Sequence, residues 1–244
     1  MIGNKNIALL IAINDYKGTE NDLNGCLNDQ SDMEKILSPK YQILKMKDSE
    51  CTVVAVKNKI IDIIHTLKSV ANFIIHYSGH GTQIPDKNGD EVDGYDEALY
   101  LYDGPLVDDD LGYILTNLSD GVTCLVLLDS CFSGTATRRL GQLKLRYFKL
   151  FDVEPHVQKR RAITKDKGMK WCVISGCSEN QTSADAFING RYNGAFTYFL
   201  LKAHKEGMSI KEWFNSLRKL LPSRKYDQIP TLEGNSQLFN NKIL

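Results

Sequence analysis

Phe73-Ile74-Ile75-His76-Tyr77-Ser78-Gly79-His80-Gly81 and, further on, Cys124-Leu125-Val126-Leu127-Leu128-Asp129-Ser130-Cys131-Phe132-Ser133-Gly134 decide how this chain is read. Each is an unbroken apolar run that stops abruptly in small and polar residues. Unbroken rather than alternating runs fit strands covered by helices on both faces, as in a parallel sheet. Ligands of open α/β sheets bind beyond the carboxyl ends of the strands. His80 and Cys131 each follow such a strand end, so both fall on the face where a site belongs. The glycines around His80 let a backbone come close to a ligand.

Outward from these two stretches, strand-length apolar runs recur at Ile7–Ile13, Gln42–Met46, Ala98–Tyr102 and Trp171–Ser175. Helical patterns lie between them. Thr52–Ser69 repeats apolar residues near a 3.6 period behind Ser49 as the expected cap. Asp109–Leu118 and Asn193–Lys205 read as shorter helices, and Ser209 caps another running to Leu221. Alternating strands and helices predict an α/β three-layer sandwich with a mostly parallel central sheet flanked by helices. The 244 residues suit one such domain.

Thirty basic residues against thirty acidic ones leave no net charge, which argues against a general nucleic-acid binder. No apolar run reaches the roughly 18–20 residues that cross a bilayer. Asn14-Asp15-Tyr16 follows the first apolar run where a secretory signal would need a cleavage site. The six cysteines include no CxxC pair and read as reduced thiols of a cytoplasmic protein. A nucleotide-binding α/β domain would need a G-x-G-x-x-G or Walker loop, and the chain has neither.

A cysteine attacks as its thiolate, and a neighbouring imidazole takes the proton or stabilises the anion. His80 beside Cys131 supplies that pairing. The backbone N–H groups of Gly81 and Cys131 would then face a developing oxyanion, each such donor being worth about 2.7–4 kcal/mol in the transition state. For Cys131 alone the competing reading is a buried structural thiol, and the paired strand-end positions weigh against it.

His-Tyr-Ser-Gly-His-Gly at 76–81, followed by Asp-Ser-Cys-Phe-Ser-Gly at 129–134, resembles the caspase-like cysteine peptidases (peptidase C14 type), in their metacaspase and orthocaspase branch. The resemblance spans nearly the whole chain. Ile174-Ser175-Gly176-Cys177, Gln181-Thr182-Ser183-Ala184-Asp185 and Gly194-Ala195-Phe196-Thr197 resemble the family's small-subunit region. The resemblance implies a caspase-hemoglobinase fold with His80 and Cys131 as the catalytic dyad. It divides the single domain 1–244 into a large-subunit-like region 1–133, a basic connecting segment 134–170 and a small-subunit-like region 171–244. It also implies a monomer.

The same resemblance assigns Asp29 and Asp129 to the primary specificity pocket, with Cys26 and Ser78 as its walls and Asp185 as a further member. Two carboxylates at the base of a slot favour a guanidinium or ammonium and repel an aspartate. Protein or peptide substrates cut after Arg or Lys are therefore expected. Asp29 as an ordinary helix-surface acid and Asp129 as a strand-end cap are the competing readings. The connecting segment, rich in Lys and Arg, then becomes a substrate of its own enzyme. Arg138-Arg139 and Lys159-Arg160-Arg161 are its candidate cut sites. The alternative for this segment is a solvated excursion with a short helix around Leu143–Leu150.

Acidic residues crowd the stretch between the two motifs, and hard oxygen ligands point to Ca²⁺. Asp86, Asn88, Asp90 and Glu97 sit at EF-hand offsets, but Glu91 stands where the loop needs glycine. The family resemblance offers four aspartates instead, of which Asp96, Asp109 and Asp110 match three. Arg138 stands at the fourth, so no required cofactor and calcium-independent activity are the expectation. A catalytically silent caspase-like scaffold is the alternative to an enzyme.

Overall fold

Apolar run and amphipathic helix alternate as β1 (Ile7–Ala12), α1 (Cys26–Leu37), β2 (Gln42–Lys47), α2 (Val53–Thr66) and β3 (Asn72–Ser78). The computed structural model describes residues 6–67, 70–85, 94–132, 144–148, 150, 169–177 and 184–244. A hairpin sheet of β4 (His80–Pro85), β5 (Tyr95–Leu101) and β6 (Gly104–Val107) interrupts the rhythm before α3 (Asp108–Leu115) and β7 (Thr123–Asp129) resume it. The second half holds β8 (Lys144–Leu145), β9 (Trp171–Ser175), β10 (Ala184–Ile188), β11 (Arg191–Gly194), α4 (Ala195–Ala203), α5 (Ile210–Leu217) and β12 (Thr231–Gly234).

The central sheet runs β12-β9-β7-β3-β1-β2, parallel throughout except for β12 at its edge. Every residue of β1 and β7 is buried. Strand alternation divides the core in two. Leu9, Ile11, Phe73 and Ile75 meet Val56, Ile60, Leu111 and Leu115 of α2 and α3 on one face. Ala8, Leu10 and Ile74 meet Met33, Phe196, Leu200 and Trp213 of α1, α4 and α5 on the other. This is the expected three-layer α/β sandwich. Its register aligns Ala12 with Ser78 and Ser78 with Asp129, so three strands deliver their carboxyl ends to one place.

Several local expectations need correction. The run Ala98–Tyr102 joins the antiparallel β4-β5-β6 sheet instead of the central one, because β5 pairs with β4 on one side and, through the tight turn at Tyr102–Asp103 before Gly104 (φ 156°), with β6 on the other. Helix α2 is capped by Thr52, whose Oγ1 accepts from the Ala55 N–H at 3.2 Å, while Ser49 lies in a preceding single turn. Residues 191–194 pair with β10 and so cannot start the helix that begins at Ala195. Helix α1 had no apolar signal because two of its five buried positions are Asp29 and Gln30. Around 143–150 there is no helix among the described residues: Lys144 and Leu145 pair with β10, and Tyr147 bridges Gly81.

Candidate active site

Buried hydroxyls hold the backbone just past β3. The His80 N–H donates to the Tyr16 hydroxyl at 2.8 Å, and the Tyr77 hydroxyl donates to the His80 carbonyl at 2.7 Å. His80 Nε2 stands 2.6 Å from the Asn21 carbonyl oxygen. A carbonyl can only accept, so the neutral imidazole carries its proton on Nε2 and presents Nδ1 as its basic nitrogen. Cys131, one residue past Ser130 at the end of β7, is buried and, like the other five cysteines, forms no disulfide. Gly81 is required by close approach, since a Cβ there would overlap the Cys131 carbonyl.

Beside this pair, Asp29, Asp129, Asp185 and Ser78 converge, all buried, on a single guanidinium. It belongs to the chain's own Arg146, whose side chain has no exposure to solvent. Nη1 donates to Ser78 Oγ at 2.7 Å and lies 3.3 Å from Asp129 Oδ1. Nη2 reaches Asp29 Oδ2 at 2.9 Å and Asp185 Oδ1 at 3.2 Å. The carboxylates are fixed from behind. Asp29 accepts from Ser78 Oγ, Asn193 Nδ2 and the Gly194 N–H. Asp129 Oδ2 takes the Thr197 N–H in the first turn of α4, where helix N–H groups favour an anion. Asp185 takes the N–H groups of Asn24 and Gly25 ahead of α1.

The backbone of the same residue completes the picture. The Arg146 carbonyl oxygen accepts from the Gly81 N–H at 2.9 Å and from the Cys131 N–H at 3.1 Å. Upstream, Lys144 and Leu145 pair antiparallel with Asp185 and Ala184. Downstream, the Phe148 N–H donates to the Gly81 carbonyl at 2.8 Å, and Thr82 Oγ1 donates to the Phe148 carbonyl at 2.7 Å. Residues 144–148 thus lie extended through the cleft as a peptide ligand would.

Three carboxylates around one guanidinium make a pocket that needs a cation. Burial pushes the Asp29 carboxyl up to about 7; the Arg146 charge pulls it down and that of Asp129 pushes it further up. The Cys26 thiol, also driven up by burial, is a neutral wall. His76 on β3 is lowered to about 4, again by burial, and its Nε2 lies 3.1 Å from Thr197 Oγ1.

Of the residues read from sequence, His80, Gly81, Cys131, Asp29, Asp129, Asp185, Ser78 and Cys26 gather at this one place. Asp96 stands on β5, and Asp109 and Asp110 on the first turn of α3, where Lys57 holds Asp110 at 2.7 Å. Among the described residues no three His, Cys, Asp or Glu side chains form a group that could hold a metal ion. Asp86, Asn88, Asp90, Glu91, Arg138, Arg139 and Lys159-Arg160-Arg161 lie outside the described residues. Sequence reasoning missed Asn193, Gly194 and Thr197 as pocket residues and did not single out Arg146. Nothing in the sequence marks Arg146 off from the other basic residues of its segment; its place among the carboxylates is read from the structure.

A family model described as "Caspase domain" matches residues 5–241. Metacaspase-1B of Aspergillus niger is 30% identical over 92% of this chain and 64% of its own length. Metacaspase-1 of Schizosaccharomyces pombe is 31% identical over 97% of this chain and 69% of its own. The chain thus spans about two thirds of the length of these relatives. A crystal structure of a Geobacter sulfurreducens protein superposes with a TM-score of 0.77 at 26% identity, covering 98% of this chain and 97% of that one. Caspase-1 of Spodoptera frugiperda shares the fold at a TM-score of 0.61 and 12% identity, over 95% of this chain and 86% of its own.

Proposed function

Since the chain belongs to the caspase-domain family of cysteine peptidases and resembles its metacaspases, we propose that it is an endopeptidase cutting after Arg or Lys, with Cys131 and His80 as its dyad. Its own connecting segment is its first substrate, at the Arg146–Tyr147 bond. The observation that carries this reading is Arg146 itself, with its charge among three carboxylates and its carbonyl oxygen on the two N–H groups beside the thiol.

The proposed chemistry uses these positions. His80 Nδ1 takes the Cys131 proton, and the sulfur bonds to the carbonyl carbon of the basic residue. The oxygen becomes an oxyanion held by the Gly81 and Cys131 N–H groups. The C–N bond then breaks, the amine leaves with the proton from His80, and a thioester remains. Water activated by His80 hydrolyses the thioester, releasing the carboxylate product and the free thiol.

Fluorogenic peptides matched except for Arg, Lys or Asp before the bond test this reading, with Cys131→Ala as blank and with chelator or Ca²⁺ added. Arg should be cut fastest, because both ends of its fork are met. Lys should be slower by about tenfold, the worth of one charge-assisted hydrogen bond. Asp should be left intact, and chelator should change nothing. Failure to cut any peptide under either condition would favour a silent scaffold.

A further inference from the structure

We infer that the cleft extends past the scissile bond into a subsite built for an aromatic side chain, with the Tyr100 ring as its platform. The preferred substrates therefore carry an aromatic residue two positions after the basic one. This rests on the peptidase reading above, in which residues 144–148 occupy the cleft as substrate.

The second residue after the Arg146–Tyr147 bond is Phe148. Its ring lies flat on that of Tyr100, with centroids 3.8 Å apart and planes 11° from parallel, and its edge faces His80 at 6.0 Å. The hydrogen bonds of the Phe148 backbone to Gly81 and Thr82 are blind to side chain and only set its depth. Selection falls to the ring contact.

Tyr100 is held by elements outside residues 144–148 as well. It stands opposite His80 in the β4–β5 register, and its carbonyl, 2.8 Å from the Tyr77 hydroxyl, shares that proton with the His80 carbonyl. Its ring stacks on Tyr16 at 6.1 Å, the same tyrosine whose hydroxyl holds the His80 N–H. Only partly buried, it keeps a surface for a partner ring. Because Gly81 bonds the chain on both sides of Tyr147, any extended peptide with its basic residue in the pocket brings its second following residue to this ring.

The test uses internally quenched peptides of identical sequence through Arg-Tyr, followed by Phe, Leu, Ala or Asp, cut by the full chain and by its Tyr100→Thr and Tyr100→Phe variants. A reporter with Arg directly before its fluorophore runs alongside. The wild type should cut the Phe peptide with a kcat/KM roughly three- to tenfold above that of the Ala peptide, the range of a stacked aromatic pair. The ratio should fall below twofold in Tyr100→Thr and persist in Tyr100→Phe. A general structural role for Tyr100 would slow all peptides alike and leave the ratio unchanged. Equal wild-type rates for Phe and Ala, or a ratio that survives Tyr100→Thr, would overturn the subsite while cleavage of the reporter upheld the peptidase. Failure to cut the reporter as well would overturn the peptidase reading, and the subsite with it.

Discussion

Gly194 adopts an ordinary backbone conformation, with φ at −69° and ψ at 132°, so strain does not require glycine there. Space does. A Cβ at this position would overlap Asp129 Oδ2 and Arg146 Nη1, filling the pocket at the point where the guanidinium meets its carboxylate. Gly194→Ala should therefore lower kcat/KM for Arg peptides by roughly a hundredfold, the penalty of displacing a bound group by about 1 Å. Alkylation of Cys131 by a small reagent should proceed as in wild type, since the new methyl group lies in the pocket and not at the thiol. Loss of alkylation together with cleavage would instead indicate damage to the dyad. The stretch Gly194-Ala195-Phe196-Thr197 stands out in the sequence by resemblance, but nothing in it shows that its glycine makes room for a charge held by Asp129. Gly194 is far from Asp129 in sequence and meets it only in space.

At the scale of elements, β3 carries a second buried imidazole that the chemistry does not use. His76 is bonded to Thr197 of α4, with its pKa lowered by burial to about 4 from an ordinary 6.5. The unfolded chain therefore takes up this proton first as pH falls. The stability contributed by keeping His76 neutral is full above about 6.5 and is lost as pH falls through the native value of about 4, some 3 kcal/mol in all. Asp29 acts in the opposite sense over the same range, because its raised pKa lets the native state hold an extra proton. The effect of His76 is thus read as a difference. Urea midpoints of wild type and His76→Gln should converge as pH is lowered from 7 to 5, the variant lacking the titrating group. Parallel curves would show that His76 does not titrate on unfolding. Apolar strands and α2 were legible because their burial follows a simple period. Helix α1 was not, because its inner face is given over to Asp29 and Gln30, which serve the pocket and the β1–β2 backbone.

Across the whole molecule, the connecting segment leaves the sheet at β7 and the chain returns to it at β9, directly beside β7. A cut at Arg146–Tyr147 would divide the chain between those neighbours without removing either. Pieces 1–146 and 147–244 would still share the parallel β7–β9 pairing, the apolar layer in which Leu10 and Ile74 meet Phe196 and Trp213, and the bonds of Asp29 to Asn193 and Gly194. A denaturing gel of the active protein should therefore show two bands, the smaller beginning at Tyr147 by mass spectrometry. Gel filtration should give one peak at the position of uncut Cys131→Ala. Separate peaks for the two pieces would contradict this account of the sheet, and a small piece beginning elsewhere would contradict the assignment of Arg146.

Through the family resemblance the sequence implied the acidic pocket, and by itself it determined the layered α/β architecture and the strand ends that bear His80 and Cys131. These depend on local periodicity and on motifs contiguous along the chain. Tertiary structure alone decided which basic residue sits among those carboxylates, which glycine makes room for it, and which ring lies against Phe148. Each of those is a meeting of residues distant in sequence, brought together where β3 and β7 end and β4 and α4 begin. No periodicity in the chain records such a meeting, because it depends on how the elements pack and not on the order in which they come.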